Sequence, residues 1–428
     1  MRSGRRFGGV LASADFRRLW AAQTISVYGT QVTILAVPLV AALMLRVSPF
    51  EFGLLGTLEF LPFVLLGLPA GVWVDRLKRR PILVATDLLR AASLLSIPIA
   101  VLLGHLTIWQ LYAVVFTNGC LTVFFDVAYQ SYLPSIVDGP DLVEGNAKLE
   151  FTRTTSQRLG PGIAGILVSL LSAPFAVVID AVSYVLSALF VSQIRRREAP
   201  ARPLGEPSAI AVKASMRSDI VVGLRFVLGH QWLAPLALTV ALGNLFGNIV
   251  DGILILHLVR ERGLGPAEIG FAFTVGSIGV IAGVLLAPRL TRALGVGRTL
   301  LFSALGEAAS WLPVAAAPDG LLFAGLATTI TALGFFGAFW TINAMSLRQA
   351  VTPARMMGRA TATMRFISWG AIPVGTTISG ILGGAIGLHN TIWVGAVGAL
   401  LTFLPVALSP LRTIRELPEP APASVPAT

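Results

Sequence analysis

The hydrophobic pattern of this chain is neither the alternation of a half-buried strand nor the narrow stripe of a surface helix. It is a succession of long apolar stretches parted by short polar ones. A bilayer core about 30 Å thick takes ~20 apolar residues in a helix. Twelve stretches reach that length, near 19–45, 52–75, 81–103, 108–130, 152–172, 174–194, 232–258, 268–288, 298–316, 320–345, 364–386 and 389–409. Hydrocarbon offers the backbone no hydrogen-bond partners, so each stretch must satisfy its own amides as a helix. The pattern therefore predicts an all-α polytopic membrane protein of twelve transmembrane helices, with 298–316 the shortest and weakest. The first stretch is too long for a signal peptide, and the apolar run before Leu11–Ala14 is too short for one.

Composition agrees. Of 428 residues, 55% are hydrophobic and only 12% charged, with a mean hydropathy of +0.80. A soluble domain carries roughly 25% charged residues. The one cysteine, Cys120, excludes a disulfide framework, and the four histidines are scattered. No metal site and no cofactor are expected.

The net charge of +11 changes the picture through its distribution. With an even number of spans and a cytoplasmic N-terminus, the 32 lysines and arginines fall on the cytoplasmic side, apart from Arg46, Arg260 and Arg262 outside and Arg90 within a span. That asymmetry is the positive-inside rule. It predicts a multi-pass protein of the cell (inner) membrane with both termini in the cytoplasm. The excess charge orients the chain and meets anionic lipid; nucleic acid is not expected as a partner.

The longest polar stretch begins at Arg195-Arg196-Arg197 and ends in an amphipathic piece (Ile220, Val221, Leu224, Phe226, Val227) suited to the membrane interface. It divides the chain into a six-helix bundle over 1–194, a cytoplasmic linker over 195–231, a second six-helix bundle over 232–409 and a tail over 410–428, expected to be disordered. At a common offset of 212, Gly71 falls on Gly283, Arg153 on Arg365 and Pro161 on Pro373. Paired repeats with a site at their interface are the architecture of secondary transporters.

The loop after the second span reads Gly71-Val72-Trp73-Val74-Asp75-Arg76-Leu77-Lys78-Arg79-Arg80. It resembles the signature of the major facilitator superfamily, with Lys78 in place of the family's second glycine. A carboxylate at a helix C-terminus is unfavourable alone, because the dipole there is negative. The resemblance implies a gate in which Asp75 meets the start of span eleven and the bases Arg76, Arg79 and Arg80 meet a carboxylate on span four, here Asp126. The fifth span carries Gly160-Pro161-Gly162-Ile163-Ala164-Gly165, similar to the antiporter motif of the same superfamily. Small residues let helices approach closely and proline bends them, so Gly160, Pro161 and Gly165 are expected to form a tight, kinked packing surface; the resemblance implies that it seals the pathway against ion leak. Tyr129–Pro134, Asn146-Ala147, Asp180–Tyr184, Leu347–Pro353 and Gly358-Arg359-Ala360 resemble the macrolide-efflux and enterobactin-exporter branch of drug:proton antiporters. The resemblance implies export of small amphipathic molecules by alternating access. Import, or movement of a lysophospholipid-like lipid, is the alternative.

Ionisable residues within spans cost ~2.5–3.5 kcal/mol each on insertion scales, and here they are Glu59, Asp87, Arg90, Asp126, Asp180, Asp251 and Glu307. Asp87 and Arg90, three apart, can pair on one helix face. Asp180 and Glu307 are expected as packing groups. Glu59 and Asp251 are the proton-coupling candidates, because a carboxyl in an apolar cavity favours its neutral form. The cavity lining is expected from Gln23, Tyr28, Gln31, Asn118, Asn244, Asn248, Trp340 and Asn343. No nucleotide-binding Gly-x-x-x-x-Gly-Lys-Ser/Thr run is present, and no catalytic cluster. The expected partners are a small-molecule substrate, protons and membrane lipids, with the protein a monomer and not an enzyme.

Overall fold

In a computed structural model of the chain, residues 9–75, 77–137, 141–196, 216–416 and 418 are described. Every regular element among them is a helix. The first six long helices are α1 (Ala14–Leu39), α2 (Pro49–Asp75), α3 (Arg79–Leu102), α4 (Ile108–Ile136), α5 (Leu142–Leu171) and α6 (Ala173–Ser192). A linker helix, α7 (Met216–Gly229), precedes α8 (Leu233–Arg260) and α9 (Pro266–Leu294). The ninth span is two pieces, α10 (Val296–Ala309) and α11 (Leu312–Ala316). α12 (Leu322–Val351) and α13 (Ala354–Ile386) follow, and the twelfth span is again broken, into α14 (Leu388–Ala399) and α15 (Leu404–Ala407).

Among the described residues, eleven helical stretches are long and apolar enough to cross a membrane, the least apolar being Val296–Ala316. The twelfth expected span is α5, a helix of 30 residues. Glu144, Lys148, Glu150 and Arg153 in its first half and Arg158 just beyond confine the apolar character to its last dozen residues. The expectation that 298–316 would be the weakest span therefore gives way to α5.

Local chemistry sets the ends. Ser13 caps α1 by accepting from the Phe16 amide at 3.3 Å, and Thr107 caps α4 by accepting from Gln110 at 3.3 Å, satisfying amides that the first turn leaves open. Near the end of α1, Pro38 removes a donor, and a π-helical turn follows at Val40–Met44, a widening found where the hydrogen-bond ladder is disturbed. Single residues with positive φ join α5 to α6 (Ser172, 64°) and α13 to α14 (Gly387, 87°).

By their contacts the residues fall into two compact units. The first comprises Met1–Val47, Leu58–Glu206 and Leu264–Thr274. Within it α1 packs on α5 and α6, and α3 on α4 and α6, around a core that includes Phe16, Leu83, Tyr132 and Ile194. The second comprises Ser48–Thr57, Pro207–Gly263 and Val275–Thr428. Here α8 packs on α13 and α14, and α10 on α12. The linker helix α7 lies on α13, with Val227 fully buried and Val221, Leu224 and Leu228 exposed. Most of the linker and tail, including 197–215 and 419–428, lies outside the described residues.

Candidate transport site

The segment Gly160–Gly165 lies where α5 crosses the first turns of α9, within the first unit. A methyl group on Gly165 would stand 2.6 Å from the Pro266 carbonyl oxygen and 3.1 Å from the Gly270 Cα. A methyl on Gly270 would in turn meet the Pro161 carbonyl oxygen and the Gly165 backbone. Only residues without a side chain allow backbones this close. Gly160 is filled differently: Gln31 of α1 lies across it, its Cβ 2.7 Å from where a methyl would be.

The second unit contains the counterpart. α13 meets the first turns of α2, where a methyl on Gly53 would stand 2.5 Å from the Thr376 carbonyl oxygen and 2.7 Å from the Gly380 Cα. The Pro373 carbonyl oxygen accepts from Thr57 Oγ1 at 3.3 Å, and Thr57 also bonds the Thr376 and Thr377 hydroxyls, each at 2.9 Å. The offset that pairs Pro161 with Pro373 therefore pairs two equivalent crossings. Arg153 and Arg365 share a place but not a partner. Arg153 forks onto Glu150 at 2.6 and 2.9 Å, a bond that holds the Glu150 carboxyl below its ordinary range. Arg365 lies 4.3 Å over the Trp369 ring.

At the loop after α2, Gly71 has open space around its Cα, Asp75 is the last residue of α2, and Arg76 lies outside the described residues. The indole of Trp73 stacks on Phe124 of α4, centroids 5.8 Å apart. Arg80 donates to the Ser192 carbonyl oxygen at the end of α6. Arg79 is half-buried. Asp126 is half-buried too, within electrostatic reach of Arg90 and Arg153.

The polar candidates are placed unevenly. Tyr28, Gln31 and Glu59 are half-exposed, and Asp251 is exposed. The backbone of Glu59 crosses α4 at Gly119, where a methyl would meet the Glu59 carbonyl oxygen at 2.7 Å. Gln23 keeps a buried side-chain oxygen with no protein partner. Asn118 donates to Ser93 Oγ at 3.1 Å, Asn244 to the Ser368 carbonyl oxygen at 2.6 Å, and Asn248 to the Asn244 carbonyl oxygen at 2.8 Å. Trp340 and Asn343 are buried, 8% and 4% exposed. Trp340 belongs to the core with Leu300 and Met364, and Asn343 accepts from Thr291 at 3.0 Å. An apolar cavity of about 550 Å³ opens between α9 and α12, lined by Ile278, Ala282, Thr328, Thr331, Phe335 and Phe336 among others.

One cluster was legible only in part. Arg90 pairs with Asp87 at 2.5 Å on α3, as their spacing predicts. Its guanidinium is clamped between the rings of Phe125 and Tyr184, 4.3 Å from each centroid. Asp180 of α6 stands in the same place, hydrogen-bonded through Oδ2 to Thr33 Oγ1 of α1 at 2.5 Å and through Oδ1 to Ser183 Oγ at 3.0 Å. The sequence singled out each ionisable residue, but not that α3 and α6 bring them together.

The long apolar helices, the paired crossings and the fold are those of a major facilitator-type membrane transporter, not an enzyme. Among solved structures, a nucleoside transporter, NupG, matches with a TM-score of 0.70 at 13% identity, over 92% of this chain and 98% of that one. A bacterial homologue of the iron transporter ferroportin matches with a TM-score of 0.68 at 17% identity over the same shares. At those identities the likeness is one of fold. The profile of the transmembrane secretion effector family matches residues 9–426, and the chain belongs to that family. Its relatives include the multidrug efflux pump Tap of Mycolicibacterium fortuitum, 27% identical over 93% of this chain and 96% of that protein. The MFS-type transporter YfiS of Bacillus subtilis is 28% identical over 90% and 88%. Macrolide efflux protein A of Streptococcus pyogenes is 25% identical over 42% and 44%.

Proposed function

We propose that this chain exports small amphipathic molecules, of drug, antibiotic or siderophore type, from the cytoplasm in exchange for protons by alternating access. The observation that carries the reading is the crossing of α5 on α9 at Gly165 and Gly270. A contact of backbone on backbone leaves no room for a file of water, which an antiporter must exclude if protons are to move only with cargo. The efflux activity named for Tap, a relative along nearly the whole chain, supports the same direction. The charge asymmetry supports an inner-membrane protein with both termini in the cytoplasm.

In this reading the chain opens the substrate path to one side of the membrane at a time. Asp75, Arg76, Arg79, Arg80, Gly71 and Asp126 form the cytoplasmic gate. Glu59, half-exposed, and Asp251, at the protein surface, exchange protons. Tyr28 and Gln31 are the polar cavity groups best placed to meet cargo, and the 550 Å³ apolar cavity between α9 and α12 lies in the range of small-molecule sites.

Everted membrane vesicles test the proposal. Ethidium, a lipophilic cation, accumulates in wild-type vesicles when ΔpH is imposed, and accumulation stops for Glu59→Gln or Asp251→Asn. Uptake that survives collapse of ΔpH removes proton coupling from the reading. Wild-type vesicles indistinguishable from empty-vector vesicles across a panel of drugs remove export itself.

A further inference from the structure

The buried cluster on α3 and α6 does not balance its charges. Asp87 and Asp180 are both 0% exposed and Arg90 4%, so two carboxyls share one guanidinium. Asp87 holds the direct ion pair. Asp180 faces hydroxyls instead, Thr33 of α1 and Ser183 of its own helix. A second methyl-free approach accommodates it: a Cβ on Gly29 of α1 would stand 2.7 Å from Asp180 Oδ1. The other ionisable groups acting here are Asp126 from α4, which also acts on Arg153, and Tyr184 from α6, whose hydroxyl bonds Thr30 of α1 at 3.0 Å. No ionisable group of α5 is among those acting on Asp180.

The cluster is also incompletely bonded. Arg90 Nε is buried without a protein partner, and beyond Arg90 the Asp87 carboxyl has only the Ser187 hydroxyl of α6 to bond it. An unbalanced carboxylate in a dry interior costs several kcal/mol unless it is neutralised, and a proton is the neutraliser that needs no space.

We propose that Asp180 is a proton-carrying carboxyl of this transporter, holding a proton while Arg90 is paired with Asp87 and releasing it when Arg90 turns to Asp180. On release the O–H bond of Asp180 breaks and the electron pair stays on the carboxylate. Arg90 neutralises that carboxylate through its unused Nε–H, and the proton passes to water on the side to which the bundle is open. The rings of Phe125 and Tyr184, each 4.3 Å from the guanidinium, confine it to a slide between the two carboxyls. The exchange reaches α1 directly, because a protonated Asp180 donates to Thr33 whereas an ionised one accepts from it. Thus the proton state of α6 is felt on the helix that carries Tyr28 and Gln31. The coupling part of this proposal rests on the export reading above; the proton-holding part does not.

Infrared difference spectroscopy on the purified full chain in nanodiscs tests the proton directly. The C=O stretch of a protonated carboxyl is expected at neutral pH, lost in Asp180→Asn and moved to higher wavenumber in Thr33→Val, which keeps the carboxyl but removes its hydrogen bond. Unchanged carboxyl spectra in both variants overturn the proposal. In proteoliposomes carrying a ΔpH, ethidium movement by Asp180→Asn is expected to fall to the level of empty liposomes, with partial recovery in Asp180→Glu. Wild-type movement by Asp180→Asn overturns the coupling role. If wild-type protein moves no ethidium in any gradient, the export reading fails for that probe, and the infrared result still decides whether Asp180 holds a proton.

Discussion

Gly165 of α5 and Gly270 of α9 face each other with no side chain between them, each Cβ position lying within 3.1 Å of the other residue's Cα. The glycine spacing read from the sequence as a tight packing surface here has a specific partner. Overpacking such a contact costs about 1–3 kcal/mol. Gly165→Leu should lower the unfolding temperature and open the crossing, which vesicle proton-leak measurements would register as faster ΔpH decay. Unchanged leak would separate the crossing from any sealing role.

Arg90 is the cation of a buried cluster, so its removal strands two carboxyls. Arg90→Leu should destabilise the protein by about 3–5 kcal/mol, read by thermal unfolding in detergent. Adding Asp87→Leu should recover part of the loss, because the double variant removes one carboxyl with its partner. A single variant as stable as wild type would mean that the carboxyls are neutral without Arg90.

Asp75 ends α2, where the helix dipole disfavours a carboxylate. If it latches a gate, Asp75→Asn slows turnover severalfold and leaves ligand binding in place, measured as transport rate against ethidium affinity. Loss of binding would put Asp75 in the substrate site instead.

Trp340 fills the core of the second unit at 8% exposure. Trp340→Ala should cost about 3–5 kcal/mol in thermal unfolding. A variant that keeps wild-type stability but changes the drug profile would place the indole on the substrate path.

The Glu150–Arg153 pair is exposed on both sides, 59% and 55%. Arg153 lowers the carboxyl's folded-state pKa below its ordinary 4.5, so its small contribution is present above that value and fades as pH falls through the lowered one. Acid titration of thermal stability should therefore show a slightly steeper loss for wild type than for Arg153→Ala, and added salt should narrow the gap.

Much of the fold was legible because membrane solvation leaves few options: a run of apolar residues becomes a helix, and Lys and Arg mark one side. The Asp87–Arg90 pair was equally legible, since it is local to one helix. The partners of Pro161 and Pro373 were not, although the offset linking them was, because sequence carries no record of which helix crosses which. Trp340 and Asn343 show the same limit. Their three-residue spacing puts them on one face, but only packing reveals that this face meets Leu300 and Thr291. The Asp180 cluster needed α1, α3, α4 and α6 together.

The short link at Ser172 bears on how the protein is made. α5 is the one expected span that falls short of the apolarity of the other eleven, and it leaves the ribosome just before α6, among the most apolar of them. Joined by one residue, the two can partition into the bilayer as a helical hairpin, the later member recruiting the earlier. Insertion of α5 then waits on α6: a released chain ending at Leu171 is expected to leave α5 outside the lipid, and one extended through Ser192 to bring it in.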